Sequence, residues 1–461
     1  MSRFRNILLA SGSSIAAGCT YLQFAYPKFP ETSKSKVGAC RVRFKGSVQA
    51  QIYYPTKDQS VGFSYPLFRT NVLSYMAKAS SRPLLMFQAV GLHHATIAPV
   101  ITSTTSPGLP PPNINVPTQN GISSSISSSI SSSISSKLPT IILSHGLYGH
   151  CDVHLALSTQ LAEQGFIVIV LEHEGQAASY ACTEEGTLLT YLKPLFVWDD
   201  YKSHVPSTIV GEKEGYEWYL EQCRDFRRPI LQKREQEIQR VVQCLNGTIK
   251  NGILPLQKDT GLPMNHISNS EISELNDFNM LTQIVATEHC KHLQSSCDMN
   301  NLILAGHSFG GATAIVAAQS TLPGLKDAFK CLLLYDPWTE CLDETNINQG
   351  LGDLPTFSLL SDGWDTNNFY YLTEKLFNPK TTTNVKVATL PGVQHAWVSD
   401  VPFWFPNVVC RYTKNAGWMD PSVGLKATLC ASLRLLNGDD VHEDWELERL
   451  GMKRLQIPRK E

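Results

Sequence analysis

NLILAGHSFGGATAIVAA, residues 301–318, joins an apolar run to an Ala-rich, helix-forming run through Gly306-His307-Ser308-Phe309-Gly310-Gly311. The order is strand, tight turn, helix. A serine on such a turn is driven into a strained backbone conformation above the edge of a sheet, and small residues two before and two after it are needed to avoid collision. Gly306 and Gly310 supply them, which makes Ser308 the candidate nucleophile. The helix beginning near Phe309 aims its unpaired amides at the same spot, favouring negative charge on a bound carbonyl oxygen. The five-residue pattern alone also fits a Gly-rich turn with a chance serine; the flanking strand and helix separate the two readings.

The rest of the chain alternates in the same way. Residues 140–143 read as a buried strand, 152–164 as a helix closed by Gly165, and 166–171 as a second buried strand. Continuous apolar runs joined by a helix indicate an α/β fold with a mostly parallel central sheet flanked by helices. Upstream, VGACRVRFKGSVQAQIYYP (37–55) alternates apolar and polar positions around Gly46, an antiparallel hairpin at the leading edge of that sheet. Residues 172–223 read as irregular and cover one side of the site, with Leu188, Leu189, Leu192, Leu195, Phe196 and Trp198 packing there. Downstream, 229–245 shows one apolar helical face (Leu231, Ile238, Val241, Val242, Leu245), and a further helix is expected near 278–293. Strands follow at 330–335, 356–360 and 385–390, then a closing helix at 421–436. The organisation expected is an N-terminal extension (1–36), one domain (37–436) and a charged, exposed tail (437–461). Residues 103–136, rich in Ser, Thr, Pro and Asn and ending in Ile-Ser repeats, read as a disordered insertion.

With 461 residues, 42% hydrophobic and 17% charged, the chain has ample material for a buried core. A formal net charge of -2 gives no basic face for nucleic acid, so the partner expected is a small molecule. Twelve cysteines scatter without a framework of spacings, which points to reduced, buried thiols. No apolar run is long enough for a spanning helix. The first thirty residues carry Arg3, Arg5 and Lys28, and no acid precedes Glu31. A signal peptide, a transit peptide and a disordered start all fit, so cytoplasmic, membrane-peripheral, secreted and organellar placements stay open. Leu84, Leu85 and Phe87 belong to an apolar cluster that is either a core helix or a face that docks on lipid.

A serine hydroxyl needs a general base, itself oriented by a carboxylate. On sheets of this kind the order is serine, acid, histidine, with acid and base just beyond strand ends. Asp336 ends the strand CLLLY, and His395 follows the strand VKVATL. Asp362 and Asp365 compete as the acid, but Asp336 ends a strand soon after the elbow helix and would be less solvated. His442, the other histidine after the serine, lies among charges in the tail. Two backbone amides are needed for an oxyanion hole, and Phe309 supplies one. The second is assigned to Leu147, in Ser144-His145-Gly146-Leu147-Tyr148-Gly149, where a strand breaks into a Gly-containing turn. His289, Cys290, His292 and Cys297 lie close together, yet their spacing matches no common zinc pattern, and no metal or cofactor is assigned.

LSHGLYGH, LAEQGFIVIVLEH, GHSFGGATA, LLLYDPW and GVQH, in that order, make the chain resemble the platelet-activating factor acetylhydrolases, lipoprotein-associated phospholipases of the α/β-hydrolase superfamily. The resemblance implies a calcium-independent esterase that removes short or oxidised sn-2 acyl chains from phospholipids. It also implies Ser308, Asp336 and His395 as the triad, Leu147 and Phe309 as the oxyanion hole, and contact with a membrane or lipoprotein surface through the Leu84, Leu85 and Phe87 region. Thr339-Glu340 stands where relatives are often apolar, which bears on the acyl pocket. A general carboxylesterase or neutral-lipid lipase would use the same triad; a binding protein on this fold would have no use for all three groups.

Overall fold

The computed structural model describes residues 36–56, 102–103, 137–194, 201–256, 290–365, 369–404, 407–436 and 453–454. Residues 1–35, Leu84, Leu85, Phe87, Leu195, Phe196, Trp198, His442, nearly all of the Ser-rich insertion and most of the helix expected near 278–293 lie outside them. The strands are β1 (Lys36–Phe44), β2 (Gln49–Thr56), β3 (Thr102–Ser103), β4 (Leu138–Ser144), β5 (Ile167–Glu172), β6 (Tyr180–Cys182), β7 (Leu188–Thr190), β8 (Ile253–Pro255), β9 (Cys297–His307), β10 (Cys331–Tyr335), β11 (Thr356–Ser361), β12 (Val385–Leu390) and β13 (Lys453–Arg454). The four helices that frame the site are α1 (Leu155–Glu163), α2 (Glu212–Leu245), α3 (Phe309–Ala318) and α4 (Pro421–Leu436).

Eleven strands form one sheet in the order β13-β12-β11-β10-β9-β4-β5-β2-β1-β3, with β8 also paired to β1. From β5 through β4, β9, β10 and β11 to β12 every neighbour is parallel. The 36–56 hairpin adds antiparallel to β5 through β2. Lys453–Arg454 pairs antiparallel with β12, so the segment expected to be an exposed tail contributes an edge strand.

The parallel strands are apolar at consecutive positions because both faces of the sheet are covered. Successive side chains point to opposite faces. Ile142, Ile169, Leu302, Leu304, Leu332 and Leu334 pack on one side with Leu231, Ile238 and Val241 of α2 and Ala312 and Ile315 of α3. Their neighbours Ile141, Val168, Val170, Ile303, Leu333 and Leu359 pack on the other with Leu157 and Leu161 of α1 and Leu425 of α4. Each such buried Leu, Ile or Val contributes roughly 1.5–3 kcal/mol of burial free energy.

Two parts of the 172–223 reading are corrected. Residues 212–223 are helical, because α2 starts at Glu212 and carries Pro229 inside it. A proline normally marks a helix start, but the Glu, Lys, Gln, Leu and Arg content of the preceding residues favours helix, and acids at Glu212 and Glu214 suit its N-terminal dipole. Tyr180–Cys182 and Leu188–Thr190 form a small antiparallel pair whose Leu188, with the nearby Leu192, stands exposed rather than packed. No helix among the described residues is long and apolar enough to cross a membrane.

The strand order reverses at β4: β5 lies on one side of it and β9 on the other. A crevice therefore opens beyond the C-terminal ends of β4 and β9, the usual place for a ligand in an open parallel sheet. Ser144 of β4 is level with Gly306 of β9, so the turns after Ser144 and after His307 face each other across it.

Candidate active site

Ser308 sits at φ 58°, ψ −121°, a conformation an L-residue adopts only under constraint. The constraint is visible. The Ser308 amide donates to the Tyr335 carbonyl at 3.0 Å, and the Ser308 carbonyl accepts from the Trp338 amide at 3.0 Å. Packing around the turn leaves no room for side chains: a Cβ on Gly306 would overlap the Gly310 carbonyl, and one on Gly310 would overlap the Ser144 carbonyl. Gly311 is equally confined, since its Cβ would come 2.8 Å from Pro337.

His395 Nε2 lies 2.9 Å from Ser308 Oγ, and His395 Nδ1 lies 3.0 Å from Asp336 Oδ2. Asp336 is fully buried and also has a left-handed backbone, φ 42°. Its carboxylate accepts from the Ser361 amide at 2.7 Å and from the Ser361 hydroxyl at 2.6 Å. Burial raises the Asp336 carboxyl above the usual range, while His395 and Ser361 pull it back by favouring the charged form. Asp362 accepts from the amide of Gly392, in the turn that delivers His395.

Several groups that hold the histidine loop were not apparent in the sequence. The Trp364 ring stacks on His395 at 4.1 Å and 6°, and its indole N–H donates to the Pro337 carbonyl at 3.1 Å. His307 donates from Nε2 to the His395 carbonyl at 2.8 Å, and His154 donates from Nδ1 to the Val398 carbonyl at 3.0 Å. Burial lowers both imidazoles, His154 to about 4, so they serve as neutral donors. Asp400 accepts from the first amides of α1, Leu155 and Ala156, both at 3.0 Å. No local pattern announces these pairs, although an aspartate that caps a helix from a distant loop is chemically ordinary.

The turn after β4 closes the site. A Cβ on Gly146 would lie 3.0 Å from Ser308 Cβ, which places the turn directly beside the serine. The Leu147 amide donates to no backbone carbonyl among the described residues. The Phe309 amide belongs to the first turn of α3, where no carbonyl of the helix can accept it. The structure thus joins Asp336, His395 and Ser308 in one hydrogen-bonded line, with the turn that carries Leu147 beside the serine and the Phe309 amide at the start of α3 directly after it.

A mostly parallel sheet, a strained serine at its C-terminal edge and a histidine loop from beyond a later strand define an α/β-hydrolase. The family model for platelet-activating factor acetylhydrolase, isoform II, matches residues 120–453, and the chain belongs to this family of hydrolases. It is similar to the platelet-activating factor acetylhydrolase of Gallus gallus, 25% identical over 65% of this chain and 61% of that one. The enzyme of the same name from Canis lupus familiaris is 23% identical over 92% of this chain and 75% of that one. Among solved structures, a ferulic acid esterase from Streptomyces cinnamoneus superposes with a TM-score of 0.52 at 11% identity, over 93% of this chain and 98% of that one, a likeness of fold.

Proposed function

We propose that the protein is a calcium-independent serine esterase that removes short or oxidised sn-2 acyl chains from phospholipids. The observation that carries the catalytic reading is the continuous line of contacts from Asp336 through His395 to Ser308, 3.0 Å and 2.9 Å long, ending on a strained nucleophile. The substrate class rests on family membership and on the names of the relatives.

In this mechanism His395 Nε2 takes the Ser308 proton as Oγ attacks the ester carbonyl. Asp336 holds the tautomer that carries the proton on Nδ1 and stabilises the imidazolium. The Leu147 and Phe309 amides receive the oxyanion. His395 then protonates the departing lyso-lipid oxygen, and the same imidazole activates the water that frees the acid. Proton transfer and charge stabilisation are both supplied by the chain, so no step calls for a metal ion.

The test is acyl release from an sn-2 acetyl phospholipid and from a long-chain one, with chelator present, for wild type and Ser308→Ala. Selective cleavage of the short chain by wild type, abolished in the variant, is the expected result. Cleavage of a soluble aryl ester but of neither lipid would replace the phospholipid reading with that of a general carboxylesterase.

A further inference from the structure

Beneath the Ser144–Leu147 turn lies a second line of polar groups. His173 Nδ1 is 2.7 Å from Glu237 Oε2, and His173 Nε2 is 2.8 Å from Ser144 Oγ. It has the composition of a catalytic triad, yet Ser144 and His173 are 0% exposed and Glu237 2%, so no substrate can reach it. Its effect is on the turn above. Burial raises the Glu237 carboxyl to about 8, and the two ring nitrogens of His173 join that carboxyl to the Ser144 hydroxyl. The His173 amide donates to His145 Nε2 at 3.4 Å, which leaves the His145 proton on Nδ1, where it is given to the Gly146 carbonyl at 2.7 Å. Burial keeps both imidazoles neutral by pushing them well below their ordinary value.

Arg234 lies one turn before Glu237 on α2 and is fully buried. Its Nη1 donates to the His145 carbonyl at 2.9 Å and to Thr313 Oγ1 of α3 at 3.3 Å. The guanidinium carbon stands 4.7 Å from the centre of the Phe309 ring. One side chain thus touches the loop that carries the Leu147 amide and the residue that carries the other amide. Apolar residues would fill this volume without the several kcal/mol needed to desolvate a guanidinium.

Resting on the serine-esterase reading above, we propose that Arg234, with His173 and Glu237, positions the oxyanion hole by fixing the Leu147 turn against the start of α3. Amides on a turn have no rigidity of their own, and their value depends on being preorganised where the oxyanion forms. None of the three residues touches substrate; they act through the two amides.

The experiment compares wild type, Arg234→Met/Glu237→Gln, which removes both buried ionisable groups together, and Arg234→Lys, which keeps the charge but loses the planar fork. Hydrolysis of p-nitrophenyl acetate and inhibition by a trifluoromethyl ketone, whose adduct places an oxyanion in the hole, are measured beside urea unfolding. The expected result is a kcat lower by about 10- to 100-fold, KM within about twofold, and a matching loss of ketone affinity in cooperatively folded protein. If the double variant does not fold, Arg234→Lys carries the same readouts, with a loss of about tenfold expected. A folded variant with kcat and ketone affinity at the wild-type level overturns the inference alone. A wild type that hydrolyses no ester and is not labelled by a fluorophosphonate overturns the esterase reading, and this inference with it.

Discussion

Replacing Glu340 with glutamine should change how stability depends on pH, by an amount set by its burial. Glu340 is 1% exposed, so its carboxyl group is almost wholly removed from water. Burial pushes its carboxyl from 4.5 to about 8, against the pull of its own backbone amide and of Arg224. The folded protein therefore holds a proton there that the unfolded chain releases above its ordinary value. Below about pH 4.5 the residue is neutral in both states and contributes no pH dependence. Between there and about pH 8 unfolding releases a proton, and wild-type stability falls by about 1.4 kcal/mol per pH unit from this group. Across the window the loss is about 5 kcal/mol. Other buried groups titrate in the same range: His154, lowered to about 4, acts with the opposite sign, and Asp400, raised to about 7, and Glu237, raised to about 8, with the same sign. The difference between Glu340→Gln and wild type cancels them. Urea unfolding followed by tryptophan fluorescence, at half-unit steps from pH 5 to 8.5, should show the variant gaining on wild type by about 1.4 kcal/mol per unit until the gain levels off near pH 8. A constant offset over that range would refute the reasoning, because it would mean that folded Glu340 is already ionised beside Arg224.

Gly310→Ala should fail to fold or lose more than about 3 kcal/mol, because its Cβ overlaps the Ser144 backbone carbonyl, which cannot give way without moving β4; an unchanged urea midpoint would show that the turn has slack. Trp364→Leu removes the ring stacked on His395, a contact of about 1 kcal/mol, so kcat on an aryl ester should fall about fivefold with KM unchanged. Wild-type kcat in that variant would mean that the imidazole is held by Asp336 and the loop alone.

The strand, turn and helix around Ser308 were legible because their causes are local: an apolar run, glycines at the two positions where a Cβ cannot fit, and an Ala-rich helix. The parallel sheet was legible for a similar reason, since a strand buried on both faces must be apolar throughout, as β5 and β10 are. Sequence order alone could rank Asp336 above Asp362 but not separate their roles; the fold does so by turning Asp336 to His395 and Asp362 to the Gly392 amide. Ser361 on Asp336, Trp364 on His395 and Asp400 on the start of α1 appear only when distant segments meet. The same is true of α2. By sequence its Arg234 and Glu237 read as ordinary polar positions beside the apolar stripe. They are buried because the helix lies across the end of β4, where the polar turn at Ser144 and His145 offers them partners. Periodicity and turn chemistry act between residues a few positions apart, and the sequence determined what they control: the elements, the elbow and the family pattern. The hydrogen-bond partners of buried polar groups come from segments as far apart as Leu155 and Asp400, and the tertiary structure alone chose them, because only complete burial obliges such groups to pair with one another instead of with water.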